Sequence, residues 1–121
     1  MILVIDDSDA ERRLVCKALE GDGYAVRDAV DGFKGVELAR DLRPELVICD
    51  LKMPGKDGFE TMREIRESIP HVRLIAISGF LFGFADYAVR MQDLGVSAVI
   101  EKPFGNAYLL KTVREVLAAA A

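Results

Sequence analysis

Four short stretches dominated by consecutive apolar residues constrain the fold more than any other feature: ILVI at 2–5, ELVIC at 45–49, RLIAI at 73–77 and SAVI at 97–100. A strand with one face in water alternates apolar and polar residues, whereas a run without alternation reads as a strand covered on both faces. A more mixed run, YAVRDAV at 24–30, makes a fifth. Segments of helical period lie between them. In the first, Ser8 and Glu11 read as a capping box, and Leu14, Val15, Ala18 and Leu19 form one apolar stripe that Gly21 and Gly23 end. Further helices are predicted over 32–42, before Pro44; 57–68, before Pro70; 85–94, up to Gly95; and 106–118. Strands alternating with helices in this way predict an α/β domain with a parallel sheet and right-handed crossovers. The closing alanines read as a frayed helix end.

With 121 residues, of which 51% are hydrophobic, the chain is predicted to form one domain over 1–121 with a real core. Sixteen Lys and Arg against twenty Asp and Glu give a net charge of -4, and no basic tract is present, which argues against direct nucleic-acid binding. No apolar run approaches the ~20 residues needed to span a bilayer. The opening MILVIDD lacks the basic start of a signal peptide, so a soluble, unexported, cytoplasmic protein with no membrane partner is expected. Cys16 and Cys49 match no metal or redox spacing and read as reduced, packed thiols. His71, the only histidine, has no second histidine to share a metal with.

The polar residues at the ends of the runs carry the chemistry. Asp6 and Asp7 end the first, Asp50 the third, Ser78 the fourth and Lys102 the fifth. In a parallel sheet these ends share one edge, where ligands of open α/β sheets bind. Adjacent carboxylates repel one another, and three converging on one point call for a cation. Oxygen-only ligation without Cys or His suits Mg2+. One carboxylate can then act as a nucleophile toward phosphorus, with Lys102 and Ser78 contacting the phosphoryl oxygens.

The segments VIDDS, PELVICDLKMPGKDGFE, IAISG and LGVSAVIEKPF closely resemble those of response-regulator receiver domains of two-component signalling, from Met1 to about Leu117. The resemblance implies a flavodoxin-like (βα)5 fold, with a five-stranded parallel sheet of order 2-1-3-4-5 and helices on both faces. It implies that Asp50 is the phosphoacceptor, that Asp7, Asp50 and the main-chain carbonyl of Lys52 ligate Mg2+, and that Asp6 reaches the ion through water. It further implies that Ser78 swings toward the phosphoryl group, that Lys102 is the family's lysine, and that the Lys102–Pro103 peptide is cis. A histidine kinase or histidine phosphotransfer protein would donate the phosphoryl group in a two-component system or phosphorelay. A downstream protein target or effector domain would read it on the face of the fourth helix, fifth strand and fifth helix. Such a protein is a signalling phosphoacceptor that catalyses only its own phosphorylation and dephosphorylation.

Two positions depart from the family. Val99 stands where it commonly carries Tyr or Phe, so the usual aromatic switch is missing. The loop after Ser78, GFLFGFADY, is unusually aromatic, and the separation of Ser78 from Lys102 is longer than usual. Phe80, Leu81, Phe82, Phe84 and Tyr87 read either as local core or as an exposed patch that replaces the switch. Lys52 and Phe80 lie where the family tunes phosphoryl lifetime, and a bulky Phe80 is expected to slow hydrolysis.

The rival reading is a magnesium-dependent aspartyl-phosphate phosphatase, because Asp7, Ser8 and Asp9 offer the nucleophile-x-acid spacing of haloacid-dehalogenase-like enzymes. The further acidic pair and cap domain of that family are not visible. The acidic loop DDSDAE would repel nucleotide phosphates, and neither GxGxxG nor GxxxxGK[ST] occurs. The chain ends after its fifth helix, which leaves open a stand-alone regulator, a relay protein, or a receiver excised from a longer multidomain regulator or hybrid kinase. In ETMREIRES, the glutamates and arginines at pairing distances read as a solvated face.

Overall fold

The computed structural model describes residues 1–79 and 84–119, except the side chains of residues 84–87. In chain order the elements are β1 (Ile2–Ile5), α1 (Asp9–Gly21), β2 (Val26–Ala29), α2 (Gly32–Leu42), β3 (Leu46–Asp50), α3 (Gly58–Ser68), β4 (Arg73–Ser78), α4 (Phe84–Leu94), β5 (Ala98–Glu101) and α5 (Asn106–Ala118). The sheet is parallel throughout, in the order β2-β1-β3-β4-β5.

The unbroken apolar runs follow from helices on both faces. Successive strand side chains point to opposite sides. Leu3, Ile5, Val47, Cys49, Leu74 and Ala76 join one core with residues of α2, α3 and α4, among them Val36, Met62 and Met91. Ile2, Val4, Leu46, Ile48, Ile75 and Ile77 join the other, with Val15 and Leu19 of α1 and Leu109 and Val113 of α5. β2 is mixed in sequence because it is an edge strand, and its Arg27 and Asp28 are exposed.

Three helices start on side-chain caps: Ser8, Asp31 and Asp57 each accept a hydrogen bond from the backbone N–H three residues on. The reciprocal half of the capping box expected at Ser8 and Glu11 is not made. Ser8 N–H donates instead to Asp6 Oδ1 at 2.9 Å, and the Glu11 carboxylate accepts from Lys102. The solvated face read into ETMREIRES is also corrected at Arg66. Its guanidinium is partly buried and donates to the carbonyls of Leu94, Pro70, Val72 and Gly95, tying the end of α3 to the start of β4 and the end of α4. Glu64 pairs with Lys56 rather than with an arginine.

Gly58 sets how closely α3 approaches the end of β3. A Cβ there would lie 2.2 Å from the Asp50 carbonyl oxygen and 2.6 Å from Leu51 Cα. Only hydrogen fits in that space, so the helix start lies directly beneath Asp50.

Candidate functional site

Every strand end named in the sequence lies on one edge. Asp50 is the last residue of β3, Ser78 the last of β4, Asp6 follows β1 and Lys102 follows β5. The ladder continues past the strands: Leu51 N–H donates to the Ile77 carbonyl at 3.0 Å, and Lys102 N–H to the Ser78 carbonyl at 2.8 Å. These bonds fix the backbones that carry the polar side chains. The Lys102–Pro103 peptide is cis.

Asp50 is buried, with only 4% of its surface exposed, and both its oxygens accept hydrogen bonds. Oδ1 receives the Lys52 N–H at 3.0 Å, and Oδ2 receives Lys102 Nζ at 2.7 Å. The same ammonium donates to Glu11 Oε2 at 2.6 Å. Burial alone would draw Lys102 down, but the hydrogen bonds to Asp50 and Glu11 outweigh it and hold the ammonium above the usual lysine range. Asp6 is buried as well, and its carboxyl is pushed up to about 6, first by desolvation and further by the charges of Asp50 and Glu11.

Asp6, Glu11 and Asp50 each present a carboxylate oxygen within 4.8 Å of the others. Among the described residues, the one cation paired with this cluster is the Lys102 ammonium. An oxygen-only donor set, short of positive charge, fits a hard divalent cation. Asp7 is exposed and lies outside this close group, although it lines the same cleft. That cleft, about 740 Å³, is also lined by Glu11, Asp50, Lys52, Asp57, Phe59, Ser78, Arg90 and Lys102.

A buried guanidinium supports the loop beneath. Arg12 donates to the Asp6 carbonyl at 2.9 Å, to Asp28 Oδ2 at 2.8 Å and to Asp9 Oδ1 at 2.6 Å. Asp9, the acid of the phosphatase-like spacing, is thus committed to Arg12 at the start of α1, and Asp7 is not enclosed.

A family model for the response regulator receiver domain matches residues 2–114. The chain belongs to that family. It is 37% identical to the DNA-binding dual master transcriptional regulator RpaA of Synechocystis sp., over 96% of this chain and 48% of that protein. Identity to sporulation initiation phosphotransferase F of Bacillus subtilis is 29%, covering 85% of this chain and 82% of that one. The crystal structure of the receiver domain of NtrX from Brucella abortus superposes with a TM-score of 0.89 at 31% identity, covering 99% of this chain and 100% of that chain. The chain spans about half the length of several of its curated relatives, 48% in the case of RpaA.

Of the residues named in the sequence, this receiver brings Asp6, Asp50 and Lys102 close together and places Ser78 on the same cleft as Asp50 and Lys102. Three site residues were not legible as such: Glu11, which looked like a helix cap; Arg12, which carried no signal; and Arg90, which sits on α4 far from any motif. Val99 lies opposite Ala76 on β5, packs against the core and does not line the cleft. Phe80 and Phe82 lie outside the described residues, as do the side chains of Phe84 and Tyr87, so the expectations placed on that loop fall outside them as well. Cys16 and Cys49 are free thiols, half-buried and buried; burial pushes Cys16 up to about 11 and holds Cys49 well above the usual thiol range. Among the described residues no helix is long and apolar enough to cross a membrane.

Proposed function

We propose that this receiver accepts a phosphoryl group on Asp50 from the phosphohistidine of a histidine kinase or histidine phosphotransfer protein, and that the modified form binds a protein target or effector domain. One observation carries the reading: Asp50 is a buried carboxylate with one oxygen on Lys102 and two further carboxylates beside it. An Asp50 oxygen attacks phosphorus, the P–N bond to the donor imidazole breaks with its electron pair returning to the ring nitrogen, and a proton taken up from solvent leaves neutral histidine. Lys102, now shared between Asp50 and Glu11, turns to the phosphoryl oxygens, as does the Ser78 hydroxyl. Asp6, Asp7 and Asp50 with the Lys52 carbonyl would hold Mg2+, and the Glu11 carboxylate stands close enough to join them. Bound there, the ion supplies positive charge that offsets the carboxylates and the incoming phosphoryl oxygens.

The test is intact-protein mass after incubation with acetyl phosphate and Mg2+, beside Asp50→Asn and a metal-free sample. One phosphoryl adduct requiring both Asp50 and Mg2+ is expected. An adduct that survives in Asp50→Asn, or repeated turnover of a small phosphate ester, would overturn the assignment.

A further inference from the structure

The cleft contains a cation that the phosphoryl-transfer reading leaves unused. Arg90, in the C-terminal half of α4, extends over the ring of Phe59 on α3, with its guanidinium carbon 3.9 Å from the ring centroid. Both residues line the cleft together with Asp50, Ser78 and Lys102. The two partners differ in freedom. Phe59 is buried in the core with 5% of its surface exposed, whereas Arg90 is exposed and, among the described residues, makes no ion pair.

A phosphoryl group on Asp50 would add roughly -1.5 to -2 charges and three strong acceptor oxygens to this space. Among the described residues, the one ammonium bonded to Asp50 is that of Lys102, which Glu11 also claims at 2.6 Å. Phosphate geometry suits the planar fork of a guanidinium, and a charge-assisted pair of hydrogen bonds is stronger than an exposed contact with a ring face. The phosphoryl group would therefore compete with Phe59 for Arg90 and win.

The side chain is carried by α4 and its resting place by α3, so transfer from one partner to the other draws the helices past each other. This matters because Val99 supplies no ring to rearrange and packs away from the cleft. We propose that Arg90 is the phosphoryl-sensing side chain of this receiver: held on Phe59 in the unmodified protein, it moves to the phosphoryl group on Asp50 and takes α4 with it. The proposal rests on Asp50 being the phosphoacceptor.

The experiment is amide hydrogen exchange over α4 with and without saturating beryllofluoride and Mg2+, in the wild type, Arg90→Ala, Arg90→Lys and Asp50→Asn, beside mass measurement of acetyl-phosphate labelling. The wild type is expected to change its α4 exchange on saturation, and Asp50→Asn is expected not to. Arg90→Ala should lose the α4 change once saturated and need about tenfold more beryllofluoride to reach saturation. Arg90→Lys, which keeps the charge without the fork, should recover part of it. An α4 response retained in saturated Arg90→Ala overturns the proposal, whatever its midpoint. A wild type that is labelled on Asp50 yet shows no α4 response also overturns it while leaving the phosphoacceptor standing; absence of label on Asp50 removes both.

Discussion

The two edges of the sheet treat charge in opposite ways. At the amino edge, the Arg66 guanidinium donates to neutral carbonyls, those of Leu94, Pro70, Val72 and Gly95, and Arg73 reaches the Ala119 carbonyl at 3.0 Å. These contacts tie together chain segments that meet at that end. At the carboxyl edge, Asp6, Glu11 and Asp50 crowd around one ammonium, and Asp6 is pushed toward its neutral form. One end of the molecule spends its charge on closing the fold. The other keeps like charges together at a cost to stability, as the cation and phosphoryl site proposed above would require.

That contrast can be broken most strongly at the amino edge. Arg66→Ala leaves several carbonyls without a donor and is expected to lower unfolding free energy in urea by about 2–3 kcal/mol. Labelling of Asp50 should persist in the variant below its melting temperature. A loss under about 0.5 kcal/mol would mean that water replaces the guanidinium freely.

Next in size is the response to metal. Saturating the carboxyl edge with Mg2+ at a hundred times its Kd should stabilise the fold by about 2.7 kcal/mol, read as a rise in Tm. A Tm indifferent to Mg2+ would mean that the carboxylates do not form a cation site.

A pH titration of the metal-free protein sharpens the comparison further. Asp6 has a folded value of about 6 against 3.8 for the free side chain, so between these values the folded chain binds a proton that the unfolded chain has lost. Stability should therefore fall as pH rises from about 4 to about 6, by on the order of 3 kcal/mol, and the loss should be complete above the folded value. Asp6→Asn should flatten that slope and stabilise the metal-free protein at pH 7. An unchanged slope in Asp6→Asn would place the titration elsewhere.

The smallest effect is expected at Glu11, because its pair with Lys102 is half exposed. Glu11→Gln should change stability by less than about 1 kcal/mol. Isothermal titration should nevertheless show weaker Mg2+ binding, since one of three converging carboxylates is gone. Tighter binding would mean that Glu11 only competes for Lys102.

The sequence alone was sufficient for the strands, because a continuous apolar run is a local signature of burial on both faces, and for the helices, whose stripes and stops are local too. Asp50, Ser78 and Lys102 were legible because each ends such a run, and strand ends of a parallel sheet share an edge by topology. Glu11 and Arg66 were misread for the same reason in reverse: a capping box and a run of interleaved charges are also local signatures, and both side chains were claimed by distant partners. Glu11 bonds Lys102 across 91 positions, and Arg66 bonds Gly95 across 29. Arg90 shows the same limit, since nothing near it in the chain announces Phe59. Periodicity decided which elements form and which face each buries. Only the packed structure decided which charged side chain meets which, because a long flexible side chain takes the strongest partner within its reach, and folding sets that reach.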